Sequence, residues 1–211
     1  MEKRGEIVIL EIKQIKSEAE EMVNERWNEF LELRKNGSEI DLFSELSFCV
    51  LTANWSAKGG MIAQEKIGEG FYTFSLEELE ISLMKVGHRF PRARARYIYE
   101  NRWIVGNLRN LLSLPVKEAR EFLVKNVKGI SWKESSHFLR NVAFCEVAIL
   151  DKHVLRLLNK YGYIDIIPKN WSKRRYLEIE KVFKALADEF GECPGKFDMY
   201  LWYYLKGKVE K

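Results

Sequence analysis

The chain reads as an all-α protein built around a tight helical hairpin. Apolar residues recur at three- and four-residue spacing through most of its 211 residues. Glycines such as Gly37, Gly87 and Gly191 stand where those periodic stretches stop. No segment alternates with the two-residue period of a half-buried strand. A hydrophobic content of 46% and a mean hydropathy of -0.30 are those of an ordinary soluble protein. The length allows a sizeable core, in one domain or two closely packed lobes.

Taken in order, residues 6–35 form the first expected helix. Ile12, Ile15, Ala19, Met22, Val23, Trp27, Phe30 and Leu31 share one face, and Asn36-Gly37 supplies the stop. Ser38 with Asp41 resembles a capping box for a second, nearly all-apolar helix to about residue 53, which belongs in the core. Asn54-Trp55-Ser56 ends it, and a shorter helix runs to about residue 67. Gly68 and Gly70 bracket a loop through Phe74. Ser75 with Glu78 caps the next helix, closed by Gly87. Pro91 is a favourable first residue for a helix over 92–105, and 107–113 is a short one.

Residues 115–126 carry Val116, Ala119, Phe122 and Leu123 at helical spacing. Gly129 interrupts that pattern, and 134–142 resumes it with Phe138, Leu139 and Val142. Apolar Ala148, Ile149 and Leu150 lead into Asp151, which opens a helix over 152–161. A linker over 162–170 contains Pro168. Ser172 starts a long helix to about residue 190, and 194–205 forms the last one before a tail over 207–211.

Charge and cysteine usage narrow the class. The net charge of +4 is modest, but Arg89, Arg92, Arg94, Arg96, Arg102 and Arg109 crowd one region, interleaved with Tyr97, Tyr99 and Trp103. Such a stretch fits nucleic-acid contact as well as it fits a solvated helix. Cys49, Cys145 and Cys193 are scattered, odd in number and without metal-ligand spacing, too few for a four-cysteine iron–sulfur cluster. No apolar run approaches membrane-spanning length, and the M-E-K-R-G-E start lacks a signal peptide's apolar core. These features place the chain in the cytoplasm, without a membrane partner.

The hairpin carries the chemistry. A short glycine-containing turn aims backbone N–H groups at the mouth of the second helix, where they and its dipole hold a phosphate. That grips DNA or RNA without reading a base. Lys133 falls in the first turn of that helix. The dipole and partial burial disfavour an ammonium ion there and favour the neutral amine, a nucleophile able to form a Schiff base. Asp151 heads the later helix, a position that stabilises a carboxylate. Taken singly, the one is a surface lysine and the other a plain N-cap. Together they suit a reaction that develops positive charge on a sugar.

At these residues the chain resembles the helix-hairpin-helix DNA glycosylases that carry a Gly/Pro-rich loop followed by an aspartate. Within them it is similar to the archaeal-type 8-oxoguanine DNA glycosylase/AP lyases, the second Ogg class. The resemblance runs over nearly the whole chain: D-L-F-S-E-L-S-F-C-V-L-T-A-N-W (41–55), G-H-R-F-P (87–91), K-G-I-S-W-K-E-S-S-H-F-L-R-N (128–141), A-I-L-D-K-H-V-L (148–155) and P-G-K-F-D-M-Y-L-W-Y (194–203). One departure is Ser131, where many relatives have a second hairpin glycine. Serine keeps the N–H and adds a hydroxyl.

The resemblance implies two helical lobes, approximately 1–55 with 152–211 and approximately 56–151 containing the hairpin 116–142, with the active site in the cleft between them. It implies a monomer acting on double-stranded DNA that contains 8-oxoguanine, with no metal or organic cofactor. Lys133 would displace the base and form the Schiff base, and Asp151 would stabilise the sugar's charge. Gly129 and Ser131 would hold the backbone. His153 fits a phosphate contact or a satisfied histidine. Asn54 fits a helix C-terminal residue or the filler of the gap left by a flipped base. Phe90 fits a core residue or a wedge that unstacks the duplex. Asp198 and Trp202, four apart on the last helix, would recognise the extruded base, the aspartate as acceptor and the indole as stacking face; the alternative buries Trp202 in the core. Lys211 matches a lysine at the family's C-terminus implicated in telling oxidised guanine from guanine. The rival readings are the same chemistry on another oxidised base, a non-catalytic DNA-binding hairpin, and a helical RNA-binding protein.

Overall fold

The computed structural model describes residues 3–211, with side chains from residue 9 onward. Met1 and Glu2, the start of the M-E-K-R-G-E segment, lie outside the described residues. Every regular element among the described residues is helical, and none of these helices is long and apolar enough to cross a membrane.

The single first helix expected from periodicity is two, α1 (Lys3–Gln14) and α2 (Lys16–Asn36). At Ile15 the ladder tightens, its amide bonding the Ile12 carbonyl three residues back at 3.2 Å. Ile12, Ala19, Val23, Trp27 and Phe30 are buried as the stripe predicts, whereas Met22 and Leu31, at its edges, are exposed. Next come α3 (Glu39–Thr52), α4 (Ala57–Ile67), α5 (Gly70–Thr73) and α6 (Leu76–Lys85). The four-residue α5 occupies what reads in sequence as a loop. Both expected capping boxes form, Ser38 with Asp41 and Ser75 with Glu78. Then follow α7 (Pro91–Glu100), a 3-10 turn (Arg102–Ile104), α8 (Leu108–Leu112), α9 (Val116–Asn126), α10 (Trp132–Asn141), α11 (Lys152–Lys160), α12 (Lys173–Phe190) and α13 (Pro194–Lys206). The helix expected over 92–105 thus ends at Glu100 and tightens into the 3-10 turn.

The chain forms two compact units, one comprising residues up to Phe30 with Ala143–Lys211, the other Leu31–Val142. The stretch 31–55 groups with the hairpin rather than with the chain's two ends. The reason is α3. Buried from Leu42 to Phe43 and from Glu45 to Thr52, it packs against α4, α7 and α10. Its buried Glu45 accepts from Gln64 at 3.0 Å and from Asn141 at 2.5 Å, so a carboxylate inside this unit is hydrogen-bonded from both neighbouring helices. The 143–151 stretch likewise groups with the terminal helices.

In the other unit, Phe183, Phe190, Phe197 and Tyr200 of α12 and α13 form one aromatic cluster. Among the described residues the extended segment before α11 has no strand to pair with, so α12 satisfies its backbone. Ala148 donates to Glu180 at 3.1 Å, Leu150 donates to the Tyr176 hydroxyl at 3.3 Å, and that hydroxyl donates to the Ala148 carbonyl at 2.7 Å. This fixes the residues immediately before Asp151. A disulfide joins Cys145 to Cys193, Cα atoms 5.7 Å apart, and the Gly195 amide donates to the Cys145 carbonyl at 2.9 Å. The loop before Asp151 is therefore stapled to the start of α13.

Candidate active site and DNA-contact residues

The hairpin turn joins α9 to α10 through Gly129, whose φ of 79° lies in the left-handed region open to glycine. A Cβ there would meet Tyr97 Cδ2 at 2.8 Å and Val50 Cγ1 at 3.2 Å, so the turn is pressed against α7 and α3. Buried Asn101 holds it from the side, donating to the Lys128 carbonyl and accepting from the Lys128 amide, both at 2.9 Å. Ser131 is the N-cap of α10 and forms a capping box with Glu134. Its N–H, read from the sequence as a phosphate donor, here donates to Glu134 Oε2 at 3.2 Å, and its hydroxyl donates to the same oxygen.

Lys133 falls in the first turn of α10, as expected. Its side chain is only 18% exposed, and Nζ lies 3.8 Å from Glu134 Oε1. Trp132, one residue earlier, carries the Arg120 guanidinium over its ring at 5.5 Å. His137 is buried edge-on against Phe48, a packing residue.

In the terminal unit Asp151 is the N-cap of α11, and its Oδ1 accepts from the amides of His153 at 2.8 Å and Val154 at 2.9 Å. The second carboxylate oxygen takes no part in these caps. His153 packs edge-to-face against Trp202 of α13, ring centroids 5.4 Å apart. Burial lowers the His153 pKa; Asp151 opposes that, and Lys206, Lys152 and Arg156 add to it. The ring therefore leans towards its neutral form. Asp151, His153 and Trp202 thus come together from two helices. Trp202 is half-buried, and Asp198, one turn earlier, is fully enclosed. In the tail, Lys208 pairs with Glu210, and Lys211 is partly buried.

Residues 23–192 match the Ogg-HhH family model, 8-oxoguanine DNA glycosylase. An 8-oxoguanine DNA glycosylase/AP lyase of Thermotoga petrophila is 55% identical over 98% of this chain and 100% of its own. The chain belongs to the 8-oxoguanine DNA glycosylase family. The crystal structure of the 8-oxoguanine DNA glycosylase of Thermotoga maritima has a TM-score of 0.96 at 55% identity, covering 98% of this chain and 99% of that one. That of the Methanocaldococcus jannaschii 8-oxoguanine glycosylase/lyase, in complex with 15mer DNA containing 8-oxoguanine, has a TM-score of 0.94 at 45% identity over 97% and 100% of the two chains. The archaeal-type resemblance read from the motifs therefore holds over the whole length.

Within this member of the 8-oxoguanine DNA glycosylase family, the arginine-rich region reads differently from its sequence. Arg94 is buried and donates to the Ala53 carbonyl at 2.8 Å. Arg102 donates to the Phe71 and Phe74 carbonyls, and Arg109 to those of Arg34 and Gly37. Arg92 pairs with Glu80, and Arg96 with Glu100. Helix ends leave carbonyls without helical partners, and long guanidinium side chains reach them. Arg89 is exposed and stacks over Phe90 at 5.0 Å. Phe90 itself is 41% exposed, which removes its core reading, and Asn54 is exposed with a φ of 65°. Sequence reasoning misses Asn101, Glu134 and the disulfide. Glu134 had a local signal, the Ser131-x-x-Glu134 spacing of a capping box; the other two bring together residues far apart in the chain.

Proposed function

We propose that this chain excises 8-oxoguanine from duplex DNA and cleaves the resulting abasic site by β-elimination. The observation that carries the reading is Lys133, largely buried in the first turn of α10, just past a hairpin turn that Asn101 and Gly129 fix, in a chain of this family. The neutral amine of Lys133 attacks C1′ of the damaged nucleoside. The glycosidic bond breaks, and its electron pair leaves with the base, which takes up a proton. Ring opening gives the Schiff base, which acidifies the 2′ hydrogen; its loss breaks the C3′–O bond. Asp151 stabilises the positive charge on the sugar, one oxygen engaged in the α11 cap and the other left for this role.

The remaining assignments follow the same reading. Trp202, held against His153, offers a face on which the extruded base stacks, for roughly 1–3 kcal/mol. Asp198, enclosed one turn earlier in the free protein, would serve as an acceptor only once the entering base opens the packing around it, and Lys211 would add a further polar contact to the oxidised purine. Gly129 and His153 would meet the phosphate backbone, and Ser131 would do so only by releasing the donors it now gives Glu134. Asn54 and Phe90, both exposed, would fill the gap and wedge the stack, since flipping costs a few kcal/mol. The site needs no metal or organic cofactor, and a monomer in the cytoplasm suffices. The test is single-turnover excision against a panel of lesion duplexes. Preferential release of 8-oxoguanine with strand cleavage supports the proposal; preference for an oxidised pyrimidine would overturn the substrate assignment.

A further inference from the structure

We propose that His88 is a positioning residue that locks Asn54 and Phe90 to each other, and that it does so only as the neutral imidazole. The inference rests on the reading of those two residues as the groups that enter the distorted duplex.

The carbonyls at the end of α3 lack helical partners. Two are taken by side chains from elsewhere in the same unit. The Leu51 carbonyl accepts from His88 Nε2 at 3.1 Å, and the Ala53 carbonyl accepts from Arg94 at 2.8 Å. Both donors are buried, at 5% and 9% exposure. Asn54 follows at once, exposed and with a φ of 65°. A non-glycine residue in the left-handed region persists where its surroundings over-determine it, and such positions cluster at functional sites. On the other side of the imidazole, Nδ1 accepts from the Phe90 amide at 2.9 Å. One neutral tautomer, with its hydrogen on Nε2, serves both bonds. Trp55 covers the ring, centroids 4.3 Å apart. A single buried side chain therefore ties the end of α3, three residues before exposed Asn54, to the amide of exposed Phe90 at the start of α7.

A wedge acts against base stacking, so it must be held where it stands. Protonation would put a hydrogen on Nδ1, aim a donor at the Phe90 N–H and break that tie. Burial lowers the His88 pKa, the Leu51 carbonyl opposes this, and Arg94 adds to it. The charged groups around the ring are Arg94 from α7 and, on its own turn, Arg89 over the Phe90 ring; from α6, Glu80 is paired with Arg92. Because the folded pKa is depressed, the lock is intact at neutral pH. Its contribution is present above the ordinary histidine value and lost as pH falls through the folded one.

The test is single-turnover excision of 8-oxoguanine from two duplexes, the lesion paired with cytosine in one and unpaired in a single-nucleotide bulge in the other. His88→Gln keeps a donor near Nε2 and lacks the acceptor; His88→Asn keeps an acceptor near Nδ1. His88→Gln should slow excision from the paired duplex about tenfold and from the bulge less than about threefold, since an unpaired base costs less to extrude. His88→Asn keeps the Phe90 bond but loses the Leu51 bond, so it should slow the paired duplex selectively as well, and melting temperatures should show both variants folded. An equal effect of His88→Gln on both duplexes, or none, overturns the inference. Asn54→Ala and Phe90→Ala run alongside. If they discriminate between the duplexes and His88→Gln does not, the positioning role alone fails. If they do not discriminate, the reading of Asn54 and Phe90 fails and the inference falls with it.

Discussion

Glu134 joins the hairpin turn to Lys133: one carboxylate oxygen accepts from the Ser131 amide at 3.2 Å, and the other lies 3.8 Å from Lys133 Nζ. Both side chains are mostly buried, at 10% and 18% exposure. A carboxylate so placed orients the Lys133 side chain through its charge while it caps the turn. Glu134→Gln keeps an acceptor for the Ser131 amide and removes the charge. We expect an almost unchanged melting temperature and a slower single-turnover excision, with lesion-duplex affinity retained. An unchanged rate in a folded variant would leave Glu134 as a cap alone.

Asp151 separates capping from chemistry. Its Oδ1 accepts from the His153 and Val154 amides, and an asparagine carbonyl can do the same. Asp151→Asn should keep lesion-duplex affinity and melting temperature close to native while excision slows by roughly 10²–10³-fold, by analogy with the loss of one charge-stabilising donor. A large stability loss with unchanged activity per folded molecule would make the residue a plain N-cap.

The Cys145–Cys193 disulfide closes a separation of 48 residues. Closing a loop of that size stabilises by about 2–4 kcal/mol through the unfolded chain. Cys145→Ser should lower the free energy of unfolding by that order in oxidising buffer, and a reductant should do the same to the native protein. Denaturation curves that coincide with and without reductant would show that the bond adds nothing.

How much of this was legible follows from the range of each signal. The hairpin, both expected capping boxes, Lys133 in a first turn and Asp151 as an N-cap are written within a few residues, and the structure has them where the spacing puts them. The turn at Ile15 carries no breaker residue. Asn101 on Lys128, His88 on Leu51 and Arg94 on Ala53 are side-chain bonds to backbone 27 to 41 residues away. Nothing local announces them, and an arginine that caps a distant helix reads in sequence like one that waits for a phosphate. Asp198 reads as an accessible acceptor by spacing alone, whereas the packing of α13 encloses it.

The central claim is that Lys133 is the nucleophile, and trapping of the protein–DNA adduct with borohydride tests it most directly. Native protein incubated with an 8-oxoguanine duplex should give a covalent adduct on reduction of the Schiff base. Lys133→Gln, with the hairpin turn and the Ser131–Glu134 cap intact, should bind the same duplex and give neither adduct nor excised base. A Lys133→Gln protein that still forms the adduct would assign the chemistry to another amine.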